Sequence, residues 1–313
     1  MRIRFFNCYL AVINYKEKYM LNSNVSGNEL AEKTESVGKG ELFHQKPFTE
    51  KLNDPHAIRM NDWADSMKYA SWVQRGILPK ERHFNRLFED SFFYYQPKDL
   101  VSGDFYWVGA SDEVTYVAVG DCTGHGVAGA MLSVLSYSLL EYVVMRKKIR
   151  KTNKILMELD KRFMDSFSAA EEENTFNNDW VDISLCGIER KTNTIYFSGA
   201  HRKILLVSDK EMKIYSGSPY PVGGWQLEKN RNYRAVTIPY SKGDVLYLGS
   251  DGFQDQFGGI LNKKYKSQKL HQLLCGSRNL PMKELRNILE QEFHKWKGDN
   301  EQTDDITIVG IRL

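Results

Sequence analysis

Gly120-Asp121-Cys122-Thr123-Gly124-His125-Gly126 is the stretch on which the interpretation of this 313-residue chain depends. Three glycines in seven residues join an apolar segment, residues 114–119, to a segment of helical periodicity that begins near Val127. The pattern predicts a strand buried on both faces, a tight turn and a helix. By itself such a turn is a strand-to-helix connection, and the start of its helix also suits an anion.

Three further stretches place an aspartate between small residues at the end of a predicted strand. They are Ser102-Gly103-Asp104-Phe105, Gly249-Ser250-Asp251-Gly252 and Thr303-Asp304-Asp305-Ile306-Thr307. Small neighbours leave a carboxylate uncovered and let the backbone approach an ion closely. Converging carboxylates repel one another unless a cation lies among them, and their hard oxygens favour Mg²⁺ or Mn²⁺. Two such ions about 4 Å apart can activate water and hold a phosphoryl oxygen.

The composition excludes several classes of protein. Apolar residues make up 42% of the chain and charged residues 27%, as in globular proteins, which excludes a mostly disordered chain. With 43 basic and 40 acidic residues the net charge is +3, so no electrostatic footprint for a nucleic acid is present and none is expected as a partner. Four well-separated cysteines without a CxxC motif exclude a disulfide framework and a cysteine zinc site. They favour a reducing cytosol, and we expect a cytoplasmic protein.

The N-terminal region gives weaker signals. Residues 5–13 are apolar-rich but interrupted by Asn7, and a membrane span needs about 20 apolar residues. We therefore expect a strand or a hydrophobic helix there and no membrane span. Residues 14–56 are polar and aperiodic, and we interpret residues 1–57 as an unassigned arm or linker.

A helix is predicted over residues 58–77, ended by Pro79. Its apolar stripe, which includes Trp63, Met67, Ala70 and Ile77, runs close to heptad spacing. Two interpretations stay open: the helix packs on its own domain, or it also pairs with a second chain in a homodimer.

The remaining chain predicts strands and helices in runs, without strict alternation of one strand and one helix. Strands are predicted over residues 91–96, 103–108, 114–120, 181–189, 194–198, 203–207, 213–216, 233–238, 244–248 and 305–311. Helices are predicted over residues 127–146, 152–168, 266–275 and 281–297. This order favours an α+β layered sandwich over a doubly wound parallel sheet.

The acidic turns resemble the motifs of a known family, the bacterial stage II sporulation E-type (SpoIIE-like) serine/threonine phosphatases. These enzymes belong to the metal-dependent protein phosphatases (PPM), which are related to protein phosphatase 2C. The matching stretches occur in the family's order: residues 97–107, 120–126, 181–186 with 198–201, 248–256 and 304–307. The resemblance covers about residues 58–313 and implies a four-layer α-β-β-α sandwich of two mainly antiparallel sheets. It implies a regulatory or linker helix over residues 58–79 and a phosphatase domain over residues 80–313.

The resemblance also implies a site for two ions, Mn²⁺ or Mg²⁺. Asp121 resembles the carboxylate that bridges both ions, and the backbone carbonyl of Cys122 stands where many relatives have glycine. Asp251 and Asp304 resemble ligands of one ion, and Asp104 resembles a ligand of the other. Asp305 is the less favoured alternative to Asp304.

The implied reaction is hydrolysis of a phosphoserine or phosphothreonine in a protein. A water that bridges the two ions attacks phosphorus directly, without a covalent intermediate. His125 and, less favoured, His201 are candidates for protonating the leaving oxygen. The Arg-x-x-Met-Glu-Asp-like motif that holds phosphate in eukaryotic relatives does not occur. Arg202 is interpreted as a surface residue, with the alternative that it supplies a positive charge to the site.

Relatives commonly act on a phosphorylated anti-sigma-factor antagonist or a similar partner-switch protein, so the implied setting is bacterial signalling. The main alternative is a catalytically silent regulatory module that keeps the PPM fold, and retention of Asp104, Asp121, Asp251 and Asp304 argues against it. A two-metal nuclease or phosphodiesterase is disfavoured by the near-neutral net charge.

Overall fold

The structure is a computed structural model that describes residues 55–167, 178–209, 211–225 and 231–313. Residues 55–313 form one compact unit. The predictions made for residues 1–54, including the apolar run at residues 5–13, lie outside the described residues. The proposed domain boundaries near residues 57 and 79 remain predictions.

Helices and strands occur close to their predicted places. The helices are α1 Pro55–Ile77, α2 Glu81–Leu87, α3 Gly126–Glu141, α4 Thr152–Phe167, α5 Gly252–Asp255, α6 Ser267–Gly276 and α7 Met282–Lys297. The first strands are β1 Ser91–Gln96, β2 Asp104–Ser111, β3 Val114–Cys122, β4 Trp180–Glu189, β5 Thr194–Ala200, β6 Lys203–Val207 and β7 Met212–Ser216. The later strands are β8 Val222–Gly223, β9 Val236–Pro239, β10 Val245–Gly249, β11 Phe257–Gly258, β12 Lys263–Lys264 and β13 Ile306–Arg312.

Two antiparallel sheets form the centre of the fold. The first has the strand order β1-β13-β10-β6-β7, and the second has the order β2-β3-β4-β5-β9, with the short β8 paired to β4. β13 and β10 of the first sheet face β2 and β3 of the second. Short turns join the neighbouring antiparallel strands β2 and β3, β4 and β5, and β6 and β7, whereas long connections that carry the helices join β3 to β4 and β10 to β13.

The helices cover the two outer faces. α3 and α4 pack on the second sheet, and α7 packs on β1 of the first. Under α6 and α7 a buried cluster joins the two helices to the first sheet through residues such as Tyr247, Leu274 and Phe293. A larger cluster fills the space between the sheets and under α3 and α4. The predicted four-layer α-β-β-α sandwich of the α+β class is therefore confirmed.

One described helix has the length and composition of a membrane span. It is α3 together with the π-helical turn Tyr142–Arg146 that extends it, 21 residues in all. α3 packs against β2 and α4, and Leu140 and Val143 are fully buried in the core. Its apolar character is that of a core helix inside a folded domain.

α1 packs on its own domain along one face. Met67 is buried against Val101 and Ala130, and Gln74 is buried one turn before the helix ends. The predicted stripe is therefore divided, because Trp63 and Ala70 are exposed whereas Met67 is not. The exposed apolar face of α1 consists of Trp63, Tyr69, Trp72 and Val73.

Several short elements were missed by the sequence analysis: α2, α5, β8 and the hairpin of β11 and β12. Each is shorter than about two helical turns or has only two strand residues, so no periodicity identifies it. α2 begins where the ring nitrogen Nδ1 of His83 accepts a hydrogen bond from the amide of Lys80, 2.8 Å long. That cap depends on a side-chain conformation, which a pattern of apolar residues does not report.

Candidate metal centre

Three aspartates stand side by side at one edge of the second sheet. Asp104 is the first residue of β2 and lies opposite Asp121 of β3, which in turn lies opposite Asp182 of β4. Directly opposed residues of antiparallel strands have Cβ atoms roughly 5 Å apart. The strand register therefore concentrates negative charge at this edge before any loop is considered.

The first sheet contributes two more predicted residues at the same place. Asp251 follows the end of β10, and Asp304 precedes the start of β13, the neighbouring antiparallel strand. The charges of Asp251 and Asp304 both act on Asp121. The structure thus brings together the four aspartates that the sequence analysis selected, Asp104, Asp121, Asp251 and Asp304.

Asp104 is the most deeply buried member of this cluster. Its Oδ2 atom is buried without a hydrogen-bond partner, and the side chain is 1% exposed. Burial, followed by the charges of Asp121 and Asp305, raises the pKa of Asp104 well above its usual value. A buried carboxylate oxygen without a partner is costly, and a cation is the group that would satisfy it. The residues present therefore fit a divalent metal ion with oxygen ligands.

Neighbouring carboxylates show the same electrostatic signature. Burial raises the pKa of Asp121 to about 7, with the charges of Asp251, Asp304 and Asp182 adding to the effect and Arg202 opposing it. Burial and the charges of Asp251 and Asp305 also raise the pKa of Asp304. Such mutual repulsion is expected where acidic groups are assembled to hold cations.

Arg202 lies inside this cluster, so its interpretation as a surface residue is wrong. Its guanidinium pairs with Asp121 and, at 3.0 Å, with Asp251, and its side chain is only 13% exposed. Burial alone would lower the pKa of Arg202, but the carboxylates of Asp121 and Asp251 raise it. Sequence reasoning had one usable signal: Arg202 follows β5, whose end is paired with β4 beside Asp182.

Within the described residues, no three acidic, histidine or cysteine side chains are close enough as they stand to hold a metal ion.

His201 lies beside the cluster, between Asp182 and Pro219. Its Nδ1 lies 2.9 Å from Oδ1 of Asp182, and its Nε2 lies 2.9 Å from the carbonyl oxygen of Pro219. Both nitrogens face acceptors, and only a protonated ring can donate to both. With both nitrogens engaged, His201 is not placed to protonate a leaving group.

The backbones of Gly103 and Cys122, the residue whose carbonyl is the predicted ligand, approach each other closely. The amide of Cys122 donates to the carbonyl of Gly103, and a Cβ atom at Gly103 would lie 3.1 Å from the carbonyl oxygen of Cys122 and 2.7 Å from that of Gly124. Only glycine fits at residue 103, next to Asp104. The thiol of Cys122 is fully buried, which raises its pKa, so it is not available as a nucleophile.

Asp305 has a structural task. Its Oδ1 accepts the amide of Lys98 and its Oδ2 accepts the amide of Gly103, both at 2.7 Å. The neighbouring Asp304 is exposed, with Oδ1 accepting the amide of Asp305. Asp305 therefore holds the loop that leads to Asp104, which leaves Asp304 as the better placed ligand.

His125 lies at the rim of the candidate metal centre and is not part of the cluster that is ion-paired through Arg202. It is the residue before α3, and its Nδ1 lies 3.1 Å from Oδ2 of Asp99. Asp99 belongs to the loop that leads to Asp104, so the pair links two of the acidic turns.

Two antiparallel sheets between helical layers, with aspartates gathered at one sheet edge, define the class of the PP2C-type phosphatase domains. Residues 111–313 match the family model described as Stage II sporulation protein E (SpoIIE). The chain therefore belongs to the SpoIIE family.

Solved structures agree with this assignment. The SiaA-PP2C domain of Pseudomonas aeruginosa is 28% identical, with a TM-score of 0.74 over 82% of this chain and 99% of that one. The PP2C phosphatase domain with a fragment of the regulatory domain of SpoIIE from Bacillus subtilis is 18% identical, with a TM-score of 0.55 over 72% of this chain and 63% of that one. The RsbU and RsbW domains of Rv1364c from Mycobacterium tuberculosis are 14% identical, with a TM-score of 0.53 over 71% of this chain and 60% of that one. No curated protein sequence matches the chain significantly.

Proposed function

We propose that this protein is a metal-dependent phosphatase that hydrolyses phosphoserine and phosphothreonine in a protein, with two Mn²⁺ or Mg²⁺ ions. The observation that carries the proposal is Asp104, whose buried and unpartnered oxygen lies next to Asp121. A catalytically silent relative would have no need to keep this costly arrangement.

The chain's own residues divide the task of binding the ions. Asp121 would contact both ions, a role supported by its position opposite Asp104 in the strand register and by the guanidinium of Arg202 that it shares with Asp251. Asp251 and Asp304 would hold one ion, and Asp104 would hold the other with help from the carbonyl of Cys122. Bound ions would supply Lewis acidity toward the phosphate and toward the attacking water.

His125 is the candidate for the proton transfer to the leaving oxygen. If Asp99 accepts the hydrogen on Nδ1, the tautomer and ring orientation are fixed and Nε2 is the atom that exchanges the proton. The pair is about half-exposed, which suits a group that meets a large substrate.

We further propose a cytoplasmic role in bacterial signalling, with a phosphorylated partner-switch protein, such as an anti-sigma-factor antagonist, as substrate. The relative from Mycobacterium tuberculosis, in which RsbU and RsbW domains occur together, supports this class of pathway. The division into a regulatory helix over residues 58–79 and a phosphatase domain over residues 80–313 belongs to the same proposal.

The test is Mn²⁺-dependent release of phosphate from a small aryl phosphate, with EDTA and an aryl phosphodiester in parallel. Asp121→Asn and Asp251→Asn should each lower kcat/KM at least about 100-fold, because each removes a metal ligand. The matched control is Asp112→Asn, at the other end of the β2–β3 hairpin, and it should retain full activity. Wild-type protein that folds and binds Mn²⁺ without hydrolysing the monoester would favour the silent regulatory module.

A further inference from the structure

Residues 257–264, here called the basic hairpin, carry an unusual apolar tip. Ile260 is fully exposed (104%) and Leu261 is 72% exposed, although both are large aliphatic residues. The loop is attached to α7 next to this tip, because the amide of Gly259 donates to the carbonyl of Trp296 at 2.8 Å. A rigid support that presents two adjacent aliphatic side chains to solvent indicates a contact surface.

A groove lies beside the tip, between the basic hairpin and α7. Its volume is about 600 Å³, and Ile260, Leu261 and Trp296 form its apolar lining. Lys269, Glu292 and Lys295 form its polar rim. An apolar centre with a charged rim is the usual anatomy of a protein-binding site.

The surroundings of the groove are positively charged. Five lysines lie on or beside the basic hairpin: Lys263, Lys264, Lys266, Lys269 and Lys295. Two of them are balanced, Lys264 by Asp255 and Lys269 by Glu292, each at 2.9 Å. Among the residues that the structure describes, Lys263 and Lys295 form no ion pair, so the patch keeps a net positive charge that suits an acidic partner.

The basic hairpin is connected to the metal-ligand loop through Gln256. The buried side chain of Gln256 accepts the amide of Thr303 through Oε1 and donates to the carbonyl of Glu301 through Nε2, both at 2.9 Å. Thr303 directly precedes Asp304. Along the chain, Ile260 stands nine positions after Asp251, a path of roughly 30 Å at most. A polypeptide in the groove therefore reaches the candidate metal centre within about nine extended residues.

We propose that the basic hairpin and its groove are the docking site for an acidic segment of the phosphoprotein substrate that carries a leucine-like side chain. The apolar side chain fills the groove beside Ile260 and Leu261, and flanking carboxylates meet Lys263 and Lys295. The inference rests on the proposed phosphatase function and names the feature by which the substrate is selected.

A protein segment suits this surface better than an anionic membrane. The groove is concave, with the carboxylate of Glu292 in its rim, whereas a bilayer presents a flat surface of negative charge. Two aliphatic side chains also give little depth of insertion compared with the face of an amphipathic helix.

Binding is tested directly with the full chain. The probe is a fluorescent, unphosphorylated 12-residue peptide with one leucine between glutamates, and the control peptide has glutamine for glutamate and serine for leucine. Anisotropy should show that wild type prefers the acidic peptide and that Ile260→Ser with Leu261→Ser, or Lys263→Glu with Lys295→Glu, weakens binding at least about tenfold. Met212→Ser and Lys242→Glu, exposed positions away from the hairpin, are the matched controls and should bind normally.

Selection is tested by turnover. The substrates are phosphoserine peptides in which the segment with one leucine between glutamates, here called the arm, lies 4, 8 or 12 residues from the phosphoserine. They are compared with a phosphoserine peptide that lacks the arm and with 4-nitrophenyl phosphate. One arm position should raise kcat/KM about tenfold, and the hairpin variants should lose that gain while hydrolysing 4-nitrophenyl phosphate normally.

The outcomes separate the two proposals. If 4-nitrophenyl phosphate is hydrolysed but the arm changes neither binding nor turnover, docking at the hairpin is wrong and the phosphatase function stands. If no phosphate is released, the phosphatase function fails and the docked segment is not a substrate's, while the anisotropy result shows separately whether the hairpin binds an acidic peptide. If wild type sediments with phosphatidylglycerol vesicles and the Ile260→Ser, Leu261→Ser variant does not, the hairpin is a lipid contact and the proposal is overturned.

Discussion

The side-chain amide of Gln74 binds both backbone polar groups of Ser102. Its Nε2 donates to the carbonyl of Ser102 at 2.6 Å, and its Oε1 accepts the amide of Ser102 at 3.0 Å. The same Nε2 lies 2.9 Å from the hydroxyl of Ser133 in α3. α1 is thereby connected to α3 and to the loop that ends at Asp104, two residues after Ser102.

Replacing this amide should weaken the fold and the metal centre together. Gln74→Leu keeps a side chain of similar size but leaves the buried amide of Ser102 without an acceptor, which costs about 1–3 kcal/mol, whereas the hydroxyl of Ser133 still donates to the carbonyl of Ser102. We expect a lower thermal midpoint and weaker Mn²⁺ binding by titration calorimetry. Gln268→Leu on the exposed side of α6 is the control and should change neither quantity. Unchanged Mn²⁺ affinity in a destabilised Gln74→Leu protein would limit the role of the amide to packing.

Substitutions at the adjacent residues Asp304 and Asp305 should affect different properties, Mn²⁺ binding for Asp304 and the free energy of unfolding for Asp305. Asp305→Ala leaves the amides of Lys98 and Gly103 without an acceptor, so urea unfolding in EDTA should show a loss of about 2–3 kcal/mol. Asp304→Asn should stay within about 0.5 kcal/mol of wild type in EDTA, because its exposed amide oxygen can still accept the amide of Asp305, but it should bind Mn²⁺ more weakly. The reverse pattern would make Asp305 the metal ligand.

Arg202→Gln removes the guanidinium that bridges Asp121 and Asp251. Repulsion among the carboxylates then rises, so protein in EDTA should melt at a lower temperature. Mn²⁺ would no longer compete with a positive side chain for the same oxygens, so its affinity should rise at least about fivefold. Lys203→Gln makes the same charge change at the neighbouring exposed residue and serves as the control. If the melting temperature and the Mn²⁺ affinity changed equally in both variants, the cause would be the change in net charge and not the loss of the Arg202 ion pairs.

The exposed face of α1 is the surface that a homodimer would use. The whole predicted apolar stripe of this helix cannot form the dimer interface, because Met67 is buried within its own domain. Tyr69→Glu with Val73→Glu places charge on the exposed face, so a dimer should become a monomer that unfolds at the wild-type temperature. Sedimentation equilibrium of wild type and variant measures this. A wild type that is monomeric at tens of micromolar would contradict self-association through α1.

Glu158 gives a pH-dependent contribution to stability. The hydrogen bond from Lys147, and less strongly that from Arg162, lowers the pKa of Glu158. A carboxyl group whose pKa is lower in the folded state stabilises the protein above its unfolded pKa, near 4.3, and this contribution is lost as pH falls through the folded value. Glu158→Gln should therefore cost up to about 1 kcal/mol at pH 7, and the difference should narrow toward pH 4. Glu211→Gln, at a more exposed pair, should show a smaller difference.

The sequence predicted the parts of this protein that depend on local pattern. Long strands and amphipathic helices follow from periodicity, and the four aspartates follow from small residues at strand ends. Arg202 and Gln74 could not be found in this way, because their partners lie far along the chain and are brought near only by the packing of two sheets and α1. The basic hairpin was missed for a different reason: its strands have only two residues each and so leave no periodic signal.

β13 is the last described element of the chain, yet it lies inside its sheet, between β1 and β10. During synthesis, β1 and β10 therefore emerge from the ribosome without the strand that joins them, and the loop before Asp104 emerges long before Asp305 can hold it. Pairings of such long sequence separation form late and slowly. A nascent chain thus cannot complete the cluster of Asp104, Asp121, Asp251 and Asp304 until the segment around β13 has been synthesised.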